Sequence, residues 1–234
     1  MDADVYDYLQ MTGCVQIARD GERQPAQIML LHESHFDIVV NHTIRFSINC
    51  TPNDLEELVV GHLYTEGIID AHDDLISIEY DPRMCCFDVQ VREPLPDADS
   101  LMCPYEPAIW DPALIFKLAD GFAADSPLHR ASSGTHSCRL VLDGKVVRLF
   151  EDISRHNATD KLIGYAVLHD IDLHDAIVFS SGRMPRDMVA KVVRARLGVL
   201  ASKAAPTDQG VRLAREYGLV LIRYHEGKLQ VFNS

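Results

Sequence analysis

From residue 137 to the C-terminus, short apolar runs alternate with helix-periodic stretches, and this alternation narrows the possible folds more than any other feature of the chain. SCRLVLDGKVVRLFE reads as two strands around Asp143-Gly144, a dipeptide suited to a tight hairpin turn. There follow a helix near 158–169, a strand at 176–180, a helix at 186–196, a strand at 198–201, a helix at 207–217 and a strand at 219–224, with a short hairpin strand at 228–232. Strands separated by helices of this length pair in parallel through right-handed crossovers, so residues 127–234 are expected to form a three-layer α/β domain. No internal repeat or low-complexity tract interrupts it.

The first half reads differently. Residues 37–48, DIVVNHTIRFSI, are expected to form a strand that leads into a helix over TPNDLEELVVGHLYTEG. Thr51 suits the cap and Pro52 the first helical position, while Leu55, Leu58, Val59, His62 and Leu63 share one face, with His62 packed at a core edge. LISIEY and CCFDVQV read as a strand pair, EPLPDADSLMCPYEP as a loop, and about 111–123 as a closing helix. The expectation is an α+β domain over 1–126, with a cysteine-bearing loop near 96–108, joined to the α/β domain over 127–234.

The net charge of −13 argues against general nucleic-acid binding, which needs a surplus of Lys and Arg to neutralise phosphates. Its distribution is uneven: residues 1–126 hold 24 acids against 6 bases, whereas 127–234 hold 11 acids against 16 bases. That asymmetry fits a C-terminal half able to hold a small anion. No apolar run is long enough to span a membrane, and MDADVYDYLQ lacks the features of a secretory signal, so a cytoplasmic location is expected. Six irregularly spaced cysteines do not make a disulfide scaffold and should remain thiols in a reducing compartment.

Three strand-to-helix junctions, EDISRHN, FSSGRMPRD and ASKAAPTD, place small or basic residues where parallel strands end and helices begin. Such ends line one crevice, and the helix N–H groups there attract anions. Arg155, His156, Ser181, Gly182, Arg183 and Lys203 are therefore expected to converge on phosphate groups, with His156 as a phosphate donor or proton-transfer group. Asn157 and Asp160 suit caps of the helix that Lys161 enters.

Metal binding is not expected. His32-Glu33-Ser34-His35 is one residue short of the metalloprotease spacing, and Cys85-Cys86 lies on an expected strand where neighbouring side chains face opposite ways. His136 and Cys138 can share a strand face, but two ligands do not make a zinc site. Among the thiols, Cys103 best meets the exposure a reactive cysteine needs, although Asp97, Asp99 and Glu106 oppose its thiolate; Cys50 reads as buried and inert.

GTHSC (134–138), EDISRHNATDKLIGYA (151–166), SSGRMPRDMVAKVVR (180–194) and VLASKAAPTDQGVRLAREYGLVLI (199–222) resemble, in order and spacing, the FdhD family of formate dehydrogenase accessory proteins. TPNDLEELVVGHLYTEGII (51–69) resembles that family's N-terminal helix. The resemblance implies a cytidine-deaminase-like three-layer α/β/α C-terminal domain, a smaller α+β N-terminal domain and a homodimer. It also implies transfer of sulfur from a cysteine desulfurase to molybdopterin guanine dinucleotide, in its molybdenum or tungsten form, before insertion into the formate dehydrogenase catalytic subunit. Carried onto this sequence, Arg183, Lys203 and Lys228 would anchor phosphates, His136 and His156 would position or protonate, and Cys103 would deliver sulfur. A further cofactor contact falls on Tyr224, His225, Gly227 and Lys228, with Glu226 an unfavourable charge among them. The family's C-G-x-C-G type loop is reduced here to SLMCPYEPAIW, in which Cys103 is the one cysteine. A carrier or chaperone that keeps the crevice without the thiol step is the alternative. A zinc nucleoside deaminase is not expected, because SSGRMPRDM stands where such an enzyme needs its P-C-x-x-C ligands.

Overall fold

The apolar runs of the C-terminal half assemble into a six-stranded sheet in the computed structural model, which describes residues 5–93, 95, 102–122 and 125–233. Its strands are β7 (His136–Leu142), β8 (Lys145–Asp152), β9 (Ile177–Ser180), β10 (Val199–Ser202), β11 (Val220–His225) and β12 (Lys228–Val231), in the order β12-β11-β10-β9-β7-β8. β9, β10 and β11 run parallel; β7 and β12 run against them, and β8, antiparallel to β7 at the edge, again runs with them. Asp143 and Gly144 turn the β7–β8 hairpin with φ of 50° and 74°, the left-handed pair that such a turn requires.

Alternation of side chains along these strands divides the core into two layers. Cys138, Leu140, Val178, Leu200 and Leu221 pack towards α4 (Arg155–Leu168), α5 (Arg186–Arg194) and α6 (Asp208–Tyr217). Val141, Ile177, Phe179, Val199, Ala201, Val220 and Ile222 pack towards α2 (Pro112–Gly121), which lies ahead of residue 127 in the chain. The three-layer order expected of this half is thus present, with α2 as its second face.

In the first half, β3 (Ser34–Val40), β4 (Ile44–Cys50), β5 (Leu75–Asp81) and β6 (Cys86–Val91) form a mixed sheet of order β4-β3-β6-β5. The single strand expected over 37–48 is in fact the β3–β4 hairpin, turned at Asn41 and His42 with φ of 46° and 56°. Asn41 holds that turn by exchanging side-chain hydrogen bonds with the backbone of Val91. α1 (Leu55–Thr65) starts after Asp54, which stands at the N-cap position without a side-chain capping hydrogen bond, so Thr51 and Pro52 both lie ahead of the helix. Thr51 is buried elsewhere, in the network described below. Cys85 sits not on a strand but in the β5–β6 turn, with φ 48°.

Besides short 3-10 turns at Val5–Tyr8 and His72–Asp74, two pieces of structure lie outside the elements expected from the sequence. One is a ribbon of β1 (Leu9–Ile17) and β2 (Arg23–Leu31), paired only with each other among the described residues and exposing Met11, Val15, Ile17, Ile28 and Leu30. The other is short α3 (Pro127–Ser132), whose first N–H groups, those of Leu128 and His129, donate to the buried Glu151 carboxylate.

The two halves are welded by α1 and α4. A Cβ on Gly61 would lie 1.8 Å from the Asp160 carbonyl oxygen, and one on Gly164 1.8 Å from that of Glu57, so only hydrogen fits at this crossing. One apolar cluster accordingly runs from Phe36 and Val89 through Leu58 and Leu63 to Leu162, Val178 and Leu200. Among the described residues no helix is long and apolar enough to cross a membrane.

Candidate functional site

A buried ion pair positions the start of α4. Lys161 and Asp152 are both fully buried and lie 2.7 Å apart. Lys161 Nζ also donates to the Thr51 and Glu151 carbonyls and to Asn53 Oδ1, at 3.2, 3.1 and 3.0 Å. The Asp152 carboxylate accepts from the N–H of Thr51 and Ser154 and from Asn157 Nδ2, at 3.1, 2.9 and 2.9 Å. A buried charge is tolerable only when paired and hydrogen-bonded in this way. Asn157 and Asp160 are therefore not caps: the helix begins at Arg155, Asn157 links Asn49 to Asp152, and Asp160 binds Lys191 at 2.8 Å. Asp160 stays below the usual carboxylate range despite its burial, because Lys191 and His62 favour its ionised form.

Beyond this anchor, the carboxyl end of β9 meets the start of β7. The Ser181 hydroxyl accepts from the Ser137 N–H at 3.0 Å and lies 3.1 Å from His136 Nδ1. The Gly182 N–H donates to Ser180 Oγ at 3.1 Å, and its carbonyl accepts from Ser202 Oγ at 2.7 Å. Gly182 is pinned beneath Arg155: a Cβ there would come within 2.8 Å of Arg155 Cβ and 3.2 Å of its Cδ. Arg155 Nε is buried without a hydrogen-bond partner, which is costly for a guanidinium unless a ligand or solvent supplies an acceptor. Burial, reinforced by Arg155, His129 and Arg183, holds the His136 imidazole below the usual histidine range. The structure thus gathers His136, Arg155, Ser181, Gly182 and the exposed Arg183 at one place. This is chemistry for holding an oxyanion, with a neutral imidazole beside it.

The other expected residues lie apart. Lys203 projects to the α2 side, its Nζ 5.9 Å from the Phe122 ring and 6.0 Å from that of Tyr224. His225, Glu226, Gly227 and Lys228 form the exposed β11–β12 turn, with φ 48° at Glu226 and 73° at Gly227. β11 is two strands from β9, a spacing of about 10 Å. Ligands long enough to follow the sheet edge could touch both groups; a lone phosphate could not. His156 turns away from His136 into a polar cavity of about 390 Å³, which His62, Asp160, Asp187 and Lys191 also line. There its Nε2 lies 3.5 Å from Asp187, while burial and Arg155 keep its pKa below the usual value.

Cys103 is exposed, in a segment that is tied down at the opposite end of the sheet. Tyr105, two residues on, donates its N–H to the Tyr217 carbonyl at 3.0 Å and its hydroxyl to that of Leu197 at 2.8 Å, beside the amino-terminal ends of β10 and β11. The length of β10 alone therefore puts about 10 Å between this segment and the crevice. Residues 96–101 of the expected cysteine loop, with Asp97 and Asp99, lie outside the described residues. Burial pushes the Cys50 thiol up to about 12 and raises that of Cys138, so neither is a nucleophile. Among the described residues no group of three or more His, Cys, Asp or Glu side chains is placed to hold a metal ion.

The Asp152–Lys161 pair and the Ser180 and Ser202 hydroxyls were not singled out from the sequence. Their one signal is position, since each serine ends a short apolar strand.

The profile of the FdhD/NarQ family matches residues 31–102 and 85–234 of the chain. A curated relative from Methanothermobacter thermautotrophicus, named sulfur carrier protein FdhD, is 32% identical over 225 residues, covering 89% of this chain and 90% of that protein. A protein of the same name from Chromobacterium violaceum is 29% identical over 239 residues, covering 88% of each. The crystal structure of a candidate formate dehydrogenase accessory protein from Desulfotalea psychrophila superposes with a TM-score of 0.85 at 27% identity, covering 97% of both chains.

Proposed function

This chain belongs to the FdhD/NarQ family, and from that premise we propose that it serves formate dehydrogenase maturation by holding molybdopterin guanine dinucleotide, in molybdenum or tungsten form, as cargo. The observation that carries the reading is the buried, partnerless Arg155 Nε, set over Gly182 and beside His136 and Ser181. Arg155 and Arg183 would bind a pyrophosphate, and the neutral His136 would donate or accept one hydrogen bond beside it. Lys203, Tyr224 and the 225–228 turn, further along the same sheet edge, would meet a more distant part of so long a ligand. The setting is the cytoplasm. The partners are a cysteine desulfurase, the formate dehydrogenase catalytic subunit and a second copy of the chain.

In the sulfur step, the Cys103 thiolate attacks the outer sulfur of the desulfurase persulfide; a new S–S bond forms at Cys103 and the desulfurase cysteine leaves as a thiolate. Release of that sulfur onto the metal as sulfide takes two further electrons, which an external dithiol would supply by becoming a disulfide. The distance between Cys103 and the crevice favours a second reading, a carrier without the thiol step. Intact-protein mass spectrometry after incubation with a cysteine desulfurase and cysteine separates them. A gain of about one sulfur atom that vanishes in Cys103→Ala supports the sulfur step. No gain, with guanine nucleotide binding intact and lost in Arg155→Gln, supports the carrier; nucleotide binding that survives Arg155→Gln overturns the crevice assignment itself.

A further inference from the structure

Between α6 and the β11–β12 hairpin lies a cavity of about 530 Å³ lined, among the described residues, by three arginines, Arg212, Arg215 and Arg223, and one carboxylate, Asp208. This is a surplus of two positive charges in a chain whose net charge is −13. The cavity is distinct from the crevice and from Lys203. Along β11, Tyr224 packs on the α2 face, with its ring 6.1 Å from Phe116, so its neighbour Arg223 projects to the opposite face, towards α6.

The guanidiniums are underused by the protein. Arg223 donates through Nη1 to Gln230 Oε1 at 3.3 Å, yet its Nε is buried without a partner. Arg215 spends its Nε on the Phe232 carbonyl at 2.9 Å. Arg212 meets Asp208 only at 3.9 Å, in a pair that is about three-quarters exposed and so weakly coupled. A buried N–H left without an acceptor is destabilising unless something arrives to accept from it.

We infer that this cavity is a second anion site, one that takes a phosphate dianion, either free or as the terminal group of a small monoester. A single carboxylate needs one guanidinium fork, whereas three forks and two surplus charges match the charge and the three terminal oxygens of a phosphate monoester. Phe232, Val211 and Pro206 line the same cavity and offer an apolar surface for an organic remainder. The site is independent of the proposed cofactor crevice, and its test keeps the two apart.

The experiment is nitrogen–proton correlation of the arginine Nε–H groups in the full-length chain, titrated at pH 7.5 with inorganic phosphate and, separately, with guanosine monophosphate. The buried Arg223 Nε–H is the local reporter. It should shift saturably, Arg212→Gln should weaken binding at least tenfold, and Arg155→Gln should leave it unchanged. Affinity for guanosine monophosphate should fall between pH 7 and pH 5.5 as the monoester dianion takes up a proton, with a pKa of about 6. Guanosine monophosphate binding as well as phosphate assigns a monoester; its exclusion assigns free phosphate. An Arg223 resonance that fails to move, that moves equally with chloride at the same ionic strength, or that titrates identically in Arg212→Gln overturns the assignment.

Discussion

Replacing Lys161 by methionine should be among the most damaging single substitutions in the molecule. The change keeps the side-chain volume close to native but strips the ammonium from a fully buried pair whose charges stand 2.7 Å apart. Asp152 would retain three donors, from Thr51, Ser154 and Asn157, so its charge is not left bare. Against that, the Thr51 and Glu151 carbonyls and Asn53 Oδ1 lose the donor they share. Breaking one side of a buried pair costs about 3–5 kcal/mol, and the surviving donors to Asp152 argue for the lower part of that range. With a urea slope of about 3 kcal/mol per molar for a chain of this size, the unfolding midpoint should fall by about 1 M or a little more. Equilibrium urea denaturation followed by circular dichroism measures this. The double change Asp152→Asn with Lys161→Met should recover part of the loss, since it removes the buried negative charge whose counter-ion is gone. A single-variant loss below about 1 kcal/mol would refute the reasoning, because it would mean that the pair is not buried and charged in solution.

Three further outcomes follow from the same geometry. Gly164→Ala drives a Cβ to 1.8 Å from the Glu57 carbonyl and should destabilise by about 3 kcal/mol or more, while Gly13→Ala, with nothing within 4 Å, should change the urea midpoint little. Iodoacetamide at pH 8, read by peptide mass spectrometry, should label the exposed Cys103 and Cys85 within minutes and leave Cys50, pushed up to about 12, unmodified until the chain unfolds. His136 should titrate below the 6.5 of an ordinary histidine in imidazole NMR spectra. The unfolded chain then binds the proton more readily, so stability is full above pH 6.5 and is lost as pH falls through the depressed folded value; His136→Gln should flatten that part of the pH–stability curve.

The order of strands and helices after residue 137 was legible because each piece carries a local period and a local punctuation, such as Asp143-Gly144 at its turn. The junctions after β8 and β9 were legible for the same reason: a strand end followed by small and basic residues is a local pattern, and it led to Arg155, Ser181, Gly182 and Arg183. The hairpin at Asn41-His42 carries no glycine or proline to mark it locally, and the asparagine that stabilises the turn does so through Val91, fifty residues away. Thr51, Asn157 and Asp160 suit helix caps by residue type and local position. Long-range partners claimed them instead, at Asp152, Asn49 and Lys191.

The sequence by itself determined the family, the alternating elements of the sheet and the residue types at its strand ends, because these are set by neighbours a few positions apart. Tertiary structure alone decided that Lys161 is an internal counter-ion, that two glycines allow α1 and α4 to touch, that His156 faces away from His136, and that the Cys103 segment is tied down at the end of the sheet opposite the crevice. Each of those depends on which distant segment fills the space beside a side chain, and a one-dimensional pattern carries no record of that.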